Sequence, residues 1–193
     1  MLVVFSGASG VGKSTVWLPG AYRVGFHSET PVTSRVPREG ERPDIDYEYM
    51  TKAGFEECIH RREFVVWDYV LENYYGYRLR LATRIKKGEC IAIHALARMA
   101  IRLREECIPS RLLLLLPTNE ESLRERLRVR GCTDGELAAR IEHGMEEASY
   151  STLFDHVVEA ADRVERDRVP AILEQLGITS YLGGRANEDG RFI

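Results

Sequence analysis

Leu2-Val3-Val4-Phe5-Ser6-Gly7-Ala8-Ser9-Gly10-Val11-Gly12-Lys13-Ser14-Thr15 opens the chain. An apolar run passes directly into G-x-x-x-x-G-K-[ST], the phosphate-binding loop, in its expected place after a strand. Glycines let such a backbone turn tightly, so its N–H groups point at a polyphosphate. The helix that follows adds the positive end of its dipole. Lys13 supplies a mobile charge for β- and γ-phosphates, and the Ser14 hydroxyl suits Mg²⁺. The alternative is a chance glycine-rich turn, which the strand in front argues against.

Working outward, 193 residues suffice for one domain, or one domain with insertions. The composition, 44% apolar and 30% charged, is that of an ordinary globular protein. A net charge of −3 points away from a general nucleic-acid binder, so any phosphate site is local. Cys58, Cys90, Cys107 and Cys132 show no C-x-x-C spacing and read as reduced and mostly structural, which suits a cytoplasmic protein. With the N-terminal strand running straight into the phosphate loop no signal peptide is expected, and the longest apolar run, Leu112 to Leu116, is too short to cross a bilayer. The sequence leaves the oligomeric state open.

After Ser14 a helix is expected, broken within about two turns by Pro19 and Gly20. A strand is expected near Val24 to His27. Residues 31 to 51 are proline-punctuated and carry Arg35 and Arg38. Two arginines three apart either converge on one anion or stand solvated on a loop. Thr51 is placed to cap a helix over 52–61, and Phe64 to Val70 reads as a strand. In Asn73-Tyr74-Tyr75-Gly76-Tyr77 a tyrosine either reaches a phosphate or packs on a sheet. A helix over 78–87 stopped by Gly88, a strand over 90–94, a helix over 95–106 and a strand over 111–117 follow. Apolar strands alternating with helices indicate a parallel α/β sheet. Thr118 to Glu121 and Thr133 to Glu136 read as capping boxes. Their helices carry Arg124, Arg126, Arg128, Arg130 and Arg140, more cations than a helix dipole requires, which suggests a mobile arginine lid. A short strand over 155–159 and a last helix capped by Asp167, with Gly177 after its end, complete the pattern. Gly183 to Ile193 reads as a polar tail.

Over roughly residues 2 to 176 the chain resembles guanylate kinases. The specific stretches are Thr33-Ser34-Arg35-Val36-Pro37-Arg38-Glu39-Gly40-Glu41, Asp46-Tyr47, Glu63-Phe64-Val65-Val66-Trp67 and Asn73-Tyr74-Tyr75-Gly76. They follow the family's T-T-R-x-P-R-x-G-E, D-Y, E-F-x-E-W and N-Y-Y-G in order and spacing. Arg126-Leu127-Arg128-Val129-Arg130-Gly131 resembles its lid entry. The resemblance implies a P-loop NTPase-type α/β fold, a parallel sheet flanked by helices. Its core would be 1–30, 86–119 and 149–180, with a mixed α/β acceptor-binding insert (31–85), a helical lid (120–148) and a tail (183–193). It further implies that Gly7, Ala8, Ser9, Gly10, Val11, Gly12, Lys13, Ser14 and Thr15 hold ATP, with Ser14 on Mg²⁺. Arg35, Arg38, Tyr47 and Tyr75 would hold the acceptor phosphate, and Lys13, Arg126, Arg130 and Arg140 would act on the transferring group.

The departures from the family fall on the acceptor side. Where guanylate kinases have a base-reading glutamate, a small hydroxyl residue and a serine, this chain has Val66, Tyr77 and Pro31. The third core strand, ending Ile93-His94-Ala95, lacks the family's strand-end carboxylates. Val66, Tyr77 and His94 are therefore expected to line the pocket for the acceptor's non-phosphate part, His94 either standing in for the missing acid or being a structural histidine at its strand end. A site stripped of its hydrogen-bonding partners loses discrimination, so weak selectivity for GMP is expected. The expected reaction transfers the γ-phosphoryl of ATP to a small phosphomonoester acceptor, GMP or a related nucleotide. Two other readings stay open: a sugar-phosphate kinase resembling ribose 1,5-bisphosphate phosphokinases, and a non-catalytic guanylate-kinase-like binding module.

Overall fold

The first strand, β1 (Leu2–Gly7), is buried along its whole length and lies at the centre of a five-stranded parallel sheet. Its neighbours are β7 (Ile91–His94) and β8 (Ser110–Pro117), flanked by β2 (His27–Ser28) and β9 (His156–Ala160). The computed structural model describes residues 1–160 and 166–180. The tail read from Gly183 to Ile193 lies outside the described residues.

Successive strand residues face opposite sides of a sheet, and both sides here are covered. Leu2, Val4, Ile91, Ile93, Leu112 and Leu114 enter one apolar core with α4 (Ala97–Glu105). Val3, Phe5, Ala92, Leu113 and Leu115 enter the other, with Trp17, Ala21, Val169 and Leu173. This explains why the strands read as unbroken apolar runs.

A second sheet of four strands has the order β4-β3-β6-β5, with β3 (Val32–Thr33), β4 (Glu48–Tyr49), β5 (Phe64–Val70) and β6 (Asn73–Arg78). The β5/β6 pair is antiparallel and bulged between Phe64 and Val66. Helix α2 (Lys52–His60) packs on this sheet through Phe55, which stacks on Phe64 and Tyr74. Its cap is Thr51, whose side chain accepts from the Gly54 N–H. Helix α3 (Arg80–Lys86) follows and is ended by Gly88, whose φ is 90°.

Two further helices, α5 (Glu120–Val129) and α6 (Asp134–Ser149), share a small core of Leu123, Leu127, Leu137 and Ile141. That core includes Ala8 of the phosphate loop. A Cβ on Gly144 would lie 2.9 Å from the Ala8 Cβ, so only glycine lets α6 approach this closely.

Four local expectations are corrected. The helix after the phosphate loop is not broken at Pro19. A wide π turn (Lys13–Trp17) gives way to α1 (Leu18–Arg23), with Pro19 in its first turn, where a missing N–H is harmless. Gly20 continues that helix because it packs on Val169: a Cβ there would lie 2.4 Å from the Val169 Cβ. The strand near residue 24 begins only at His27, since Val24 and Gly25 bond back onto α1. Asn119, not Thr118, caps α5, accepting from the Ser122 N–H. Helix α7 (Val169–Gln175) has Arg168 at its cap position, and Asp167 pairs with Arg23 instead.

Candidate functional site

The phosphate loop leaves the carboxyl end of β1, where ligands bind in open α/β sheets. Gly7 has φ 129°, and a Cβ there would meet the Leu115 carbonyl oxygen at 2.1 Å, so glycine is required. The Lys13 ammonium curls back to donate to the Gly7 and Ala8 carbonyls, the latter at 2.9 Å. Burial lowers its pKa to about 8, with Glu147 opposing and Arg130 adding to the drop. Ala8 and Val11 are buried in the cores, so what they offer a phosphate is backbone.

A cleft of about 940 Å³, partly open to solvent, runs from this loop to the second sheet. Gly7, Ser9, Gly10, Gly12, Lys13 and Ser14 form one end, and Arg130, just past the end of α5, and Arg140 of α6 border it. Desolvation holds the Arg130 guanidinium below its usual value, with Arg38, Arg126 and Arg140 pressing in the same direction. At the other end stand Arg35, Arg38, Tyr47, Tyr75, Tyr77 and His94. Five cations thus line one cleft, and no carboxylate is on its wall among the described residues.

Glu41 organises the arginine loop. It accepts from Arg35 at 2.8 and 2.9 Å, from the Arg38 N–H at 2.7 Å and from the Tyr49 hydroxyl at 2.7 Å. Arg35 also lies over the Tyr47 ring, 5.3 Å from its centroid. It is therefore not a solvated loop arginine. The aromatic run divides: Tyr74 packs against Phe55, Trp67 and Tyr69, while Tyr75 faces the cleft.

His94 ends β7 beside Phe5 of β1. Its Nε2 shares a hydrogen bond of 2.9 Å with the Tyr47 hydroxyl, and its carbonyl accepts from the Tyr77 hydroxyl at 2.7 Å. Burial, aided by Lys13, pushes the imidazole down to about 4, so it is neutral near pH 7. Desolvation raises the Glu41 carboxyl, but its hydrogen bonds outweigh this and bring it down to about 2. Both groups are thus harder to protonate folded than unfolded, and both stabilise the fold less as pH falls. The His94 contribution is lost between about pH 6.5 and 4, the Glu41 contribution between about 4.5 and 2. With the cleft's water softening the shift, each phase is expected to cost about 2 kcal/mol. Urea unfolding at stepped pH checks this: His94→Asn should flatten the upper phase, and an unflattened curve would refute it.

Three predicted positions differ from expectation. Val66, 4% exposed, sits in the core opposite Tyr77 and is not on the cleft wall, because the β5 bulge and alternation turn it inward. Arg126 donates to the Ser122 carbonyl and hydroxyl, and Thr15 is exposed; neither lines the cleft. Sequence reasoning also missed Val70, Leu71, Leu96 and Met99, which with Pro31 add an apolar stretch to the cleft wall.

It missed Glu147 as well. This carboxylate, 2% exposed, accepts from the Gly7 N–H at 3.1 Å and the Ala97 N–H at 2.7 Å. It ties α6 to the phosphate loop and to the start of α4. Burial pushes its carboxyl up, against the pull of Lys13 and the two N–H groups. The signal was present: Arg140, His143, Gly144 and Glu147 are spaced as one helical face.

No group of three or more His, Cys, Asp or Glu side chains suited to a metal occurs among the described residues. Mg²⁺ typically arrives with phosphate and water ligands, and one hydroxyl such as Ser14 fits that donor set. No helix among the described residues is long and apolar enough to cross a membrane.

Comparison with known proteins agrees with this architecture. The guanylate kinase family model matches residues 1–173. A guanylate kinase of Fusobacterium nucleatum is 33% identical over 160 residues, covering 81% of this chain and 86% of that protein. One from Latilactobacillus sakei is 30% identical over 192 residues, covering 91% and 94%. The crystal structure of guanylate kinase from Anaplasma phagocytophilum superposes with a TM-score of 0.70 at 19% identity, over 94% of this chain and 86% of that one. With a phosphate loop, two sheets and a cationic cleft in this arrangement, the chain belongs to the guanylate kinase family.

Proposed function

We propose that the protein transfers the γ-phosphoryl group of ATP to the phosphate of a nucleoside monophosphate, GMP or a related acceptor, with little selectivity for guanine. The observation that carries this is the cleft wall, which among the described residues holds five cations and no carboxylate. In this reading residues 31–85 bind the acceptor and 120–148 form the lid.

The donor phosphates lie along the N–H groups of the phosphate loop, with Lys13 swinging from the Gly7 and Ala8 carbonyls to their oxygens. Ser14 would hold Mg²⁺, which when bound neutralises charge on the β- and γ-phosphates. Arg35 and Arg38, with Tyr47 and Tyr75, grip the acceptor phosphate from the opposite end. An acceptor phosphate oxygen is already nucleophilic, so no strong base is needed. Catalysis is then positioning and charge stabilisation by Lys13, Arg130 and Arg140.

Weak guanine reading rests on the acceptor end. Val66 is in the core, Tyr77 is 1% exposed with its hydroxyl held by His94, and Pro31 and Leu71 bring no polar side chain. A guanine edge offers N–H donors, and among the described residues no carboxylate on the wall accepts them. The kcat/KM ratio of GMP to the other nucleoside monophosphates is expected within about tenfold, the scale of an apolar pocket's discrimination. A coupled ADP-release assay over nucleotides and sugar phosphates tests it. A preference for GMP beyond a thousandfold would refute the selectivity reading, and turnover of sugar phosphates alone would refute the acceptor class.

A further inference from the structure

Among the described residues, two buried side-chain nitrogens lack a hydrogen-bond partner: Arg140 Nε and His143 Nε2. They lie one turn apart on the face of α6 that walls the cleft. His143 is held firmly. Its side chain is 12% exposed, and its Nδ1 is 3.2 Å from Glu146 Oε2. Glu146 is itself 3.6 Å from Arg98 of α4, which donates to Asp68 of β5 at 3.0 Å. A carboxylate accepts, so Nδ1 carries a hydrogen and the remaining nitrogen, Nε2, is the one left for a ligand.

We infer that His143 is a further phosphate-contacting residue of the donor end, its Nε2–H donating to an oxygen of the polyphosphate. The inference rests on the donor site proposed above. Charged groups of both signs face the ring. Glu146 and Glu147 of α6 flank the ring, Glu147 Oε1 being 3.9 Å from Nε2. The bound phosphates add negative charge on the cleft side. Opposing them are Lys13 of the phosphate loop, Arg140 on α6 itself, Arg130 at the end of α5, and Arg98 behind Glu146. The proton comes from solvent as the polyphosphate enters. No bond to carbon or phosphorus changes.

The test uses inorganic tripolyphosphate as the probe, titrated calorimetrically into the full chain. His143→Gln keeps an N–H donor at the position of Nε2, whereas His143→Asn keeps one only near Nδ1. Dissociation constants within about threefold of wild type are expected for Gln, and a rise of roughly tenfold or more for Asn, the scale of a hydrogen bond to a charged group. Both variants should melt near wild type. Equal affinities for the two variants overturn the inference while leaving the donor site standing. No binding by wild type overturns the donor site, and the inference with it. On the unmodified protein, the ¹⁵N resonance of His143 Nε2 should move on adding tripolyphosphate, and an unmoved resonance overturns the assignment without any variant.

Discussion

Replacing Lys13 with methionine should lower kcat by roughly 10²–10³-fold, the usual loss when one group stabilising transition-state charge is removed. Among the described residues the side chain is the only ammonium in the cleft, and it reaches the loop carbonyls that a donor phosphate would replace. Its pKa of about 8 shows that burying this charge works against the free protein. Methionine relieves that cost while losing two hydrogen bonds and the Glu147 partner. The melting temperature should therefore stay within a few degrees of wild type. Circular dichroism and an ATP-coupled assay on the same preparation separate the two effects. Undiminished turnover would remove Lys13 from the proposed donor site.

Glu147→Ala should act the opposite way, on stability first. The substitution strips the partner from the Gly7 and Ala97 N–H groups, which lie beneath a carboxylate that is 2% exposed. Each orphaned donor costs about 1–3 kcal/mol, so a total near 3 kcal/mol is expected. For a chain of this length that is a drop of roughly 6–12 °C in melting temperature. Glu147→Gln should fall between, since its amide oxygen satisfies one N–H while its NH₂ confronts the other. Thermal melts of both variants decide it, and a melting temperature for Glu147→Ala equal to wild type would show that the strap carries no weight.

Much of this was legible because the signals are local. The phosphate loop follows its strand, β5 runs from Phe64 to Val70 as its β-branched and aromatic residues suggest, and Thr133 forms its capping box with Glu136. Lys13, Arg35, Arg38, Arg130 and Arg140, far apart in the chain, border one cleft. What was illegible depends on neighbours. Glu146 and Glu147 are adjacent and alike in sequence, yet one is half in solvent and the other sealed under the phosphate loop. Only the docking of α6, permitted by Gly144, separates them. Val66 reads as a pocket position by alignment with a glutamate. As an apolar residue beside a bulge it joins the core with Tyr77. Thr118 and Asn119 are both good caps, and the backbone path after β8, not composition, chooses between them.

The strap from Glu147 also decides how α6 is able to move. Its far half is pinned to β1 and α4, while Arg140 rides seven residues nearer the free end. At the helical rise this is a lever arm of roughly 10 Å. A pivot of about ten degrees around the pinned carboxylate would carry the guanidinium about 2 Å across the cleft, and Leu137 and Ile141, which share a core with Ala8, would press on the phosphate loop as it did so.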